Sequence, residues 1–248
     1  MPLSSSNKNN QLLAALPEST RQRWLPKLEW VFMPLGRALH GSGQFLSHVY
    51  FPVTATVSLI YVTKSGASSG VAFIGSEGLV GVEAFMGGQS IPGRDVVQSE
   101  GYGFRLSADL VKKEFESSNP TMQLLLRYAE ALLVQIAQLA VCSRHHSLEQ
   151  RLSRWLLWQL DHLLAREIFA THERIADLLG VRRESVSEGL SKLQTRGTIV
   201  YRRGHISIEN RVGLEIQSCE CAHVIKLAYE SLPTGHIRKI SKLHSVPA

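Results

Sequence analysis

Between about Leu28 and Leu106 short apolar runs alternate with glycine-containing turns: VYFPVTATVSLIYV, KSGAS, GVAFIGSEG, LVGVEAFMGG and DVVQSEGYGFRL follow one another. Runs this short, cut this often, predict an antiparallel barrel or sandwich rather than strand-helix-strand units. From Ser107 the apolar period becomes helical. Ser107 stands as an N-cap before ADLVKKEFE, and Asn119-Pro120 reads as an N-cap followed by proline at the first helical position. Beyond it Met122, Leu125, Ala129, Leu132, Ile136 and Leu139 recur at spacings of three and four. A second apolar set, Leu126, Leu133, Ala137 and Ala140, occupies another face. Two apolar faces need two covers. The chain's own domain supplies one, and a twin helix in a dimer, with Leu125, Ala129, Leu132, Ile136 and Leu139 as its seam, supplies the other unless one chain buries both.

SLEQRLSRWLLWQLDHLL opens a second helical region. Ser147 and Gln150 fit a capping box, and Leu148, Leu152, Trp155, Leu156, Leu160 and Leu163 form one face. In THERIADLLGVRRESVSEGL, Thr171 caps a first helix, Gly180 supplies a left-handed turn, and Val181 returns the chain to the core. Ala176 is small where two helices cross, and Ile175, Leu179, Val186, Leu190 and Leu193 face inward. The layout is a helix-turn-helix. GTIVYRRGHISIE then predicts two strands around the tip Arg202-Arg203-Gly204-His205. The fold class is therefore α+β: an antiparallel β-domain, barrel or sandwich, with flanking helices over 1–118, a long helix over 119–146, and a winged helix-turn-helix with a C-terminal helix over 147–248.

Composition changes this picture little: 248 residues, 44% hydrophobic and 19% charged, are those of a folded chain. The start MPLSSSNKNN lacks the apolar core of a signal peptide. The best membrane candidate, LLLRYAEALLVQIAQLAV, is broken by Arg127, Glu130, Gln135 and Gln138, so a cytoplasmic protein without a membrane span is expected. Three cysteines, Cys142, Cys219 and Cys221, make no disulfide framework. A net charge of +6 favours a polyanion, and the placement of charge names which one. The second helix of the motif turns Arg182, Arg183, Glu184, Ser185, Ser187, Glu188 and Lys192 outward or toward its N-terminus, while Thr171 opens the first helix. Arginines at a helix N-terminus meet phosphates and guanine edges, and a glutamate beside them accepts from cytosine N4. Arg202, Arg203 and His205 on the hairpin tip suit the backbone of the same duplex DNA. The competing reading is a solvated surface in a protein-binding domain.

The whole chain resembles the Crp/Fnr family of bacterial transcription regulators, most strongly in RIADLLGVRRESVSEGLSKLQTRGTI. The resemblance implies a cyclic-nucleotide-binding-like jelly-roll barrel, a dimerisation helix and a winged helix-turn-helix. It further implies a homodimer on a roughly palindromic promoter site in contact with RNA polymerase. Arg183 and Glu184 occupy the Arg-Glu pair that opens the family's recognition helix. Glu188 stands where the family usually has arginine, so the half-site differs from that of the best-known members, with Arg182 replacing the lost cation. Gly189 replaces a usual apolar residue and weakens the helix by up to about 1 kcal/mol unless it permits a close approach.

In the family's nucleotide cassette a Gly-Glu pair holds the ribose and an Arg-Ser pair the cyclic phosphate. Gly81 aligns, Val82 takes the carboxylate position with Glu83 one residue late, Arg94 matches the phosphate arginine, and Asp95 replaces the hydroxyl residue. A carboxylate there repels phosphate and pairs with Arg94, which argues against cyclic AMP. The family's iron-sulfur members use four cysteines mostly near the N-terminus, and none precedes Cys142 here, which excludes that cofactor. Haem, through His40, His48, His145 or His146, stays open, as does a different nucleotide. Cys219, Cys221 and His223 in CECAH lack a fourth ligand, so no metal site and no cofactor is predicted. Arg144, His145 and His146 cap the long helix or form a hinge. The glycines match no Walker loop. An enzyme with a helical adaptor is the alternative to a regulator, but it lacks a nucleophile elbow, a metal tetrad and a paired-carboxylate site.

Overall fold

The structure is a computed structural model that describes residues 10–87, 93–162 and 167–232. The predicted N-terminal β-domain forms from β1 (Glu29–Met33), β2 (Ala38–His40), β3 (His48–Pro52), β4 (Thr56–Val62), β5 (Ser68–Ile74), β6 (Arg94–Ser99) and β7 (Gly101–Ser107). They pair antiparallel in two sheets, β1-β7-β3 and β2-β6-β4-β5. Val57, Ile74 and Val97 meet Met33 and Val80 in the space between them, while Phe51 and Phe104 face the other way into a core shared with Leu12, Trp24 and Leu124. Two helices that the apolar pattern did not disclose, α1 (Gln11–Ala15) and α2 (Glu18–Trp24), precede the barrel. Asn10 fixes them. Its Oδ1 accepts from the Leu13 N–H at 3.0 Å, and its Nδ2 donates to the carbonyls of Pro52 and Gly78. The rest of the polar N-terminus read above lies outside the described residues.

After a short α3 (Glu83–Met86) between β5 and β6, α4 (Ala108–Ser117) follows Ser107, which holds the cap position without a side-chain bond. The long helix α5 (Asn119–His145) is capped from Ser118, so Asn119 is already helical, one residue earlier than its role as N-cap implies. Leu125, Ala129, Leu132 and Leu139 are buried within their own chain, and Ile136 is half-buried against Leu59, Ala72 and Leu132. This corrects the expected seam. On the same face Tyr128 donates to the Leu79 carbonyl at 2.7 Å, and Gln135 Oε1 accepts from the Phe73 N–H at 2.9 Å, which fixes the rotation of α5 against the barrel. The open apolar face is the second set, with Leu126 at 43% and Leu133 at 58% exposure and Ala137 and Ala140 exposed beside them. By length and composition α5 also qualifies as a membrane span, contrary to the expectation above, but 44% of its apolar window is buried inside the protein and its buried face packs on the barrel.

The C-terminal half contains α6 (Leu148–His162), β8 (Glu167–Phe169), α7 (His172–Leu179), α8 (Arg183–Thr195), β9 (Ile199–Arg202), β10 (His205–Ile208), α9 (Arg211–Gln217) and α10 (Cys221–Glu230). The capping box forms: Gln150 Oε1 accepts from Ser147 N–H at 2.9 Å, and Ser147 Oγ from Gln150 N–H at 3.3 Å. Leu152, Trp155 and Leu156 are buried, while Leu163 lies outside the described residues. β8, which the sequence pattern missed, completes the three-stranded sheet β8-β10-β9.

Candidate nucleic-acid interface

Thr171 Oγ1 accepts from the Arg174 N–H at 3.2 Å and starts α7; Gly180, with φ +63°, ends it. Val186, Leu190 and Leu193 bury the inner side of α8. A Cβ on Gly189 would lie 2.5 Å from Leu152 Cδ1 of α6, so the glycine that weakens α8 lets it sit close against α6. The expected close approach is real. Burying that side leaves Arg182, Arg183, Glu184 and Glu188 exposed, with Ser185 partly covered. Arg182 occupies the cap position with extended backbone, and α8 begins at Arg183.

Several residues assigned to DNA have other partners, among them His205, whose Nδ1 lies 3.7 Å from Glu167 Oε2 and whose ring packs edge-on against Phe169. Ser187 Oγ donates to the Arg183 carbonyl at 3.2 Å and stands 2.6 Å from His172 Nδ1, and the His172 ring packs on Tyr201 with centroids 4.5 Å apart. Ser187 thus ties α8 to α7 and the wing. Lys192 Nζ lies 2.9 Å from Glu188 and 3.2 Å from Glu149 of α6. The reversed charge at Glu188 is therefore balanced one helical turn later by Lys192, not by Arg182.

The wing turns through Arg203 and Gly204 at φ +49° and +87°, the two positive angles of a tight hairpin turn. Arg202, Arg203 and His205 are exposed around it, and Gln194 Oε1 accepts from the Tyr201 N–H at 2.8 Å, bracing β9 on α8. Arg174, which the sequence did not single out, turns away from this surface: its guanidinium bonds Gln98 Oε1 at 3.1 Å and the Val97 carbonyl. Through it and Leu178, whose carbonyl lies 3.1 Å from where a Cβ on Gly70 would be, α7 rests on the barrel. The N-terminus of α8 and the wing tip stay open.

Residues 150–216 match the Crp-like helix-turn-helix domain. This segment is a Crp-like helix-turn-helix domain. The chain that carries it has the architecture of the Crp/Fnr transcription regulators. FixK2 from Bradyrhizobium japonicum superposes with a TM-score of 0.67 at 19% identity, over 77% of this chain and 98% of that one. A transcriptional regulator of the Crp/Fnr family from Eubacterium rectale gives 0.66 at 18%, over 88% and 97%. A CRP-family regulator from Thermus thermophilus gives 0.65 at 18%, over 76% and 96%. Identities this low speak for the fold alone. No curated protein matches the chain in sequence.

In the Crp/Fnr-type barrel, Gly81 has φ +99° and Val82 leads into α3, which carries the half-buried Glu83. Arg94 is exposed and Asp95 buried, on opposite sides of β6. Asp95 does not pair with Arg94 as expected: its Oδ2 lies 2.7 Å from His40 Nδ1, and His40 Nε2 lies 2.7 Å from the His48 carbonyl. Two acceptors flank the ring, which calls for two N–H donors. Burial pushes the His40 pKa down, but the Asp95 hydrogen bond and charge outweigh it and hold it above its ordinary value. Burial raises that of Glu83, and Asp95 adds to the rise. His40 therefore has neither nitrogen free for a haem iron.

The chain's three cysteines meet at the foot of α5. Cys142 Sγ lies 3.5 Å from Cys219 Sγ, and Cys221 Sγ lies 3.4 Å from His146 Nδ1. All four donor atoms fall within 4.8 Å of one another. His223, grouped with Cys219 and Cys221 by sequence proximity, is exposed on α10. Cys142, in the last turn of α5, and His146, in its C-cap position, were the missing partners, and their separation of more than seventy residues from Cys219 hid them.

Proposed function

We propose that this protein regulates transcription in the cytoplasm by binding a roughly palindromic promoter site as a homodimer, in contact with RNA polymerase. The observation that carries the reading is the open N-terminus of α8, where Arg182, Arg183 and Glu184 stand exposed, as does the basic wing tip, while the apolar side of the motif is buried. Arg183 addresses guanine or phosphate, and Glu184 the amino group of cytosine. Arg182, Arg202, Arg203 and His205 take the backbone; Ser187 and Lys192 hold the domain together. The exposed Leu126 and Leu133 stripe of α5 supports pairing of two chains. The family resemblance favours a regulator over an enzyme.

Selection of duplex DNA on the purified protein, over a salt series, tests this. A palindromic site is expected, with Glu184→Ala relaxing preference at one base pair per half-site by about 1–3 kcal/mol. Arg203→Ala should weaken all sequences alike and reduce the salt slope. Enrichment of no sequence would overturn the reading. The barrel's pairing of Asp95 with His40 and the outward Arg94 support a regulator that takes no cyclic AMP, so the nucleotide should leave the melting temperature unchanged.

A further inference from the structure

We propose that Cys142, His146, Cys219 and Cys221 bind one thiophilic divalent ion, zinc by the chemistry of the donors, and so clip the start of α10 to the end of α5. This goes beyond the DNA-binding reading and does not depend on it.

Geometry carries the proposal. A tetrahedral zinc with bonds of about 2.3 Å to sulfur sets neighbouring ligand atoms roughly 3.5 to 4 Å apart. The observed separations are 3.5 Å between Cys142 and Cys219 and 3.4 Å between Cys221 and His146, with no pair of the four beyond 4.8 Å. A polynuclear iron-sulfur cluster distributes its thiolates over several irons and needs a wider cage. Three sulfurs and one imidazole are a common structural zinc set, and soft thiolates select against calcium or magnesium. The cysteines are all buried, and the residues come from the end of α5 and the start of α10, so only the fold assembles them.

The surroundings fit the same ion. A metal-bound histidine commonly gives its second nitrogen to a carboxylate, and His146 Nε2 lies 3.2 Å from Glu220 Oε1 while Nδ1 faces the sulfurs. Gln138 Nε2 donates to Cys221 Sγ at 3.2 Å, a bond that calls for sulfur as acceptor. Three thiolates around a divalent cation leave one negative charge. Arg154 is 5% exposed, its Nε has no hydrogen-bond partner, and its charge acts on Cys142. A buried arginine so placed offsets that charge.

The site lies where α5 hands over to α6 at residues 146–148, so its occupancy sets how firmly the DNA-binding half is joined to the long helix. The test uses the untagged full chain, reduced, with metal content measured after gel filtration. One zinc per chain is expected. After exchange, cobalt should show the intense visible bands of a tetrahedral site and thiolate-to-cobalt charge transfer. Cys221→Ser should abolish stoichiometric binding. Glu220→Gln, a surface change that leaves the cage intact, should weaken zinc about tenfold to a hundredfold without loss of helical signal. A folded, reduced protein that takes up neither zinc nor cobalt would overturn the proposal. So would cobalt bands unchanged by Cys221→Ser, iron with inorganic sulfide at this position, or a Cys142 to Cys219 disulfide in metal-free protein.

Discussion

Replacing His162 with alanine is expected to destabilise the protein by about 3 to 5 kcal/mol, because it strips the partner from a buried carboxylate. His162 closes α6 and sets Nε2 2.6 Å from Oε2 of Glu77 in the turn after β5, while its Nδ1 lies 2.7 Å from the Trp158 carbonyl. Glu77 Oε1 in turn accepts from the Gly75 N–H at 2.9 Å. The fit requires glycine at 75, where a Cβ would lie 2.1 Å from His162 Cδ2. Burial pushes the His162 pKa down, but the charge of Glu77 outweighs it and carries the value up to about 9 from an ordinary 6.5. Burial likewise pushes Glu77 up, and His162 outweighs that, so Glu77 ends below its ordinary 4.5.

The sign for pH follows. The histidine contribution is complete below its unfolded value of 6.5 and is lost as pH rises through about 9. The glutamate contribution is complete above 4.5 and is lost as pH falls through the lower folded value. Denaturant melts should therefore show this pair's full contribution between about pH 4.5 and 6.5, and a decline toward pH 9 that His162→Ala removes. His40, whose pKa is also raised, has the same sign as His162, so the difference between wild type and variant is the informative quantity. Equal slopes in the two proteins would exclude the pair as the source. Since Glu77 belongs to the barrel and His162 to α6, the contact also joins the barrel to the C-terminal half. Both line a cavity of about 830 Å³ between them.

Much of the architecture was legible because it rests on periodic patterns and local chemistry. The capping box at Ser147, the cap at Thr171, the left-handed turn at Gly180 and the hairpin at Arg203-Gly204 depend on a few adjacent residues, and each stands where the sequence places it. Relations across the fold were not legible. Periodicity showed two apolar faces on α5 but not which one the barrel takes. That choice follows from Tyr128 and Gln135, whose polar groups reach barrel backbone atoms distant in sequence. Asp95 was assigned to its neighbour Arg94, yet strand alternation sends the two to opposite sides, and a histidine fifty-five residues away takes the carboxylate. The outward residues of α8 were read correctly as a set, while Ser187 and Lys192 acquire partners from α7 and α6 that no local pattern contains.

The rotation of α5 yields the second large effect: in the dimer proposed above, Leu133→Glu should separate the protomers and lower affinity for the proposed palindromic site on the order of a thousandfold. Leu126, Leu133 and Ala140 repeat at intervals of seven along the open face, with Ala137 between them and small enough for close helix approach. Each leucine buried in such a seam contributes roughly 2 kcal/mol per protomer, and a carboxylate at Leu133 replaces that gain with two like charges facing each other. A monomer retains one recognition helix and one half-site, so most of the sequence-specific energy goes while salt-sensitive phosphate contacts remain. Leu125→Ala is the matched control. It removes a side chain buried by its own barrel and should cost about 2 to 5 kcal/mol of stability while leaving the dimer intact. Sedimentation and DNA titration on both variants decide the matter. If Leu133→Glu stays dimeric with unchanged affinity, or Leu125→Ala alone dissociates without loss of stability, the seam lies elsewhere.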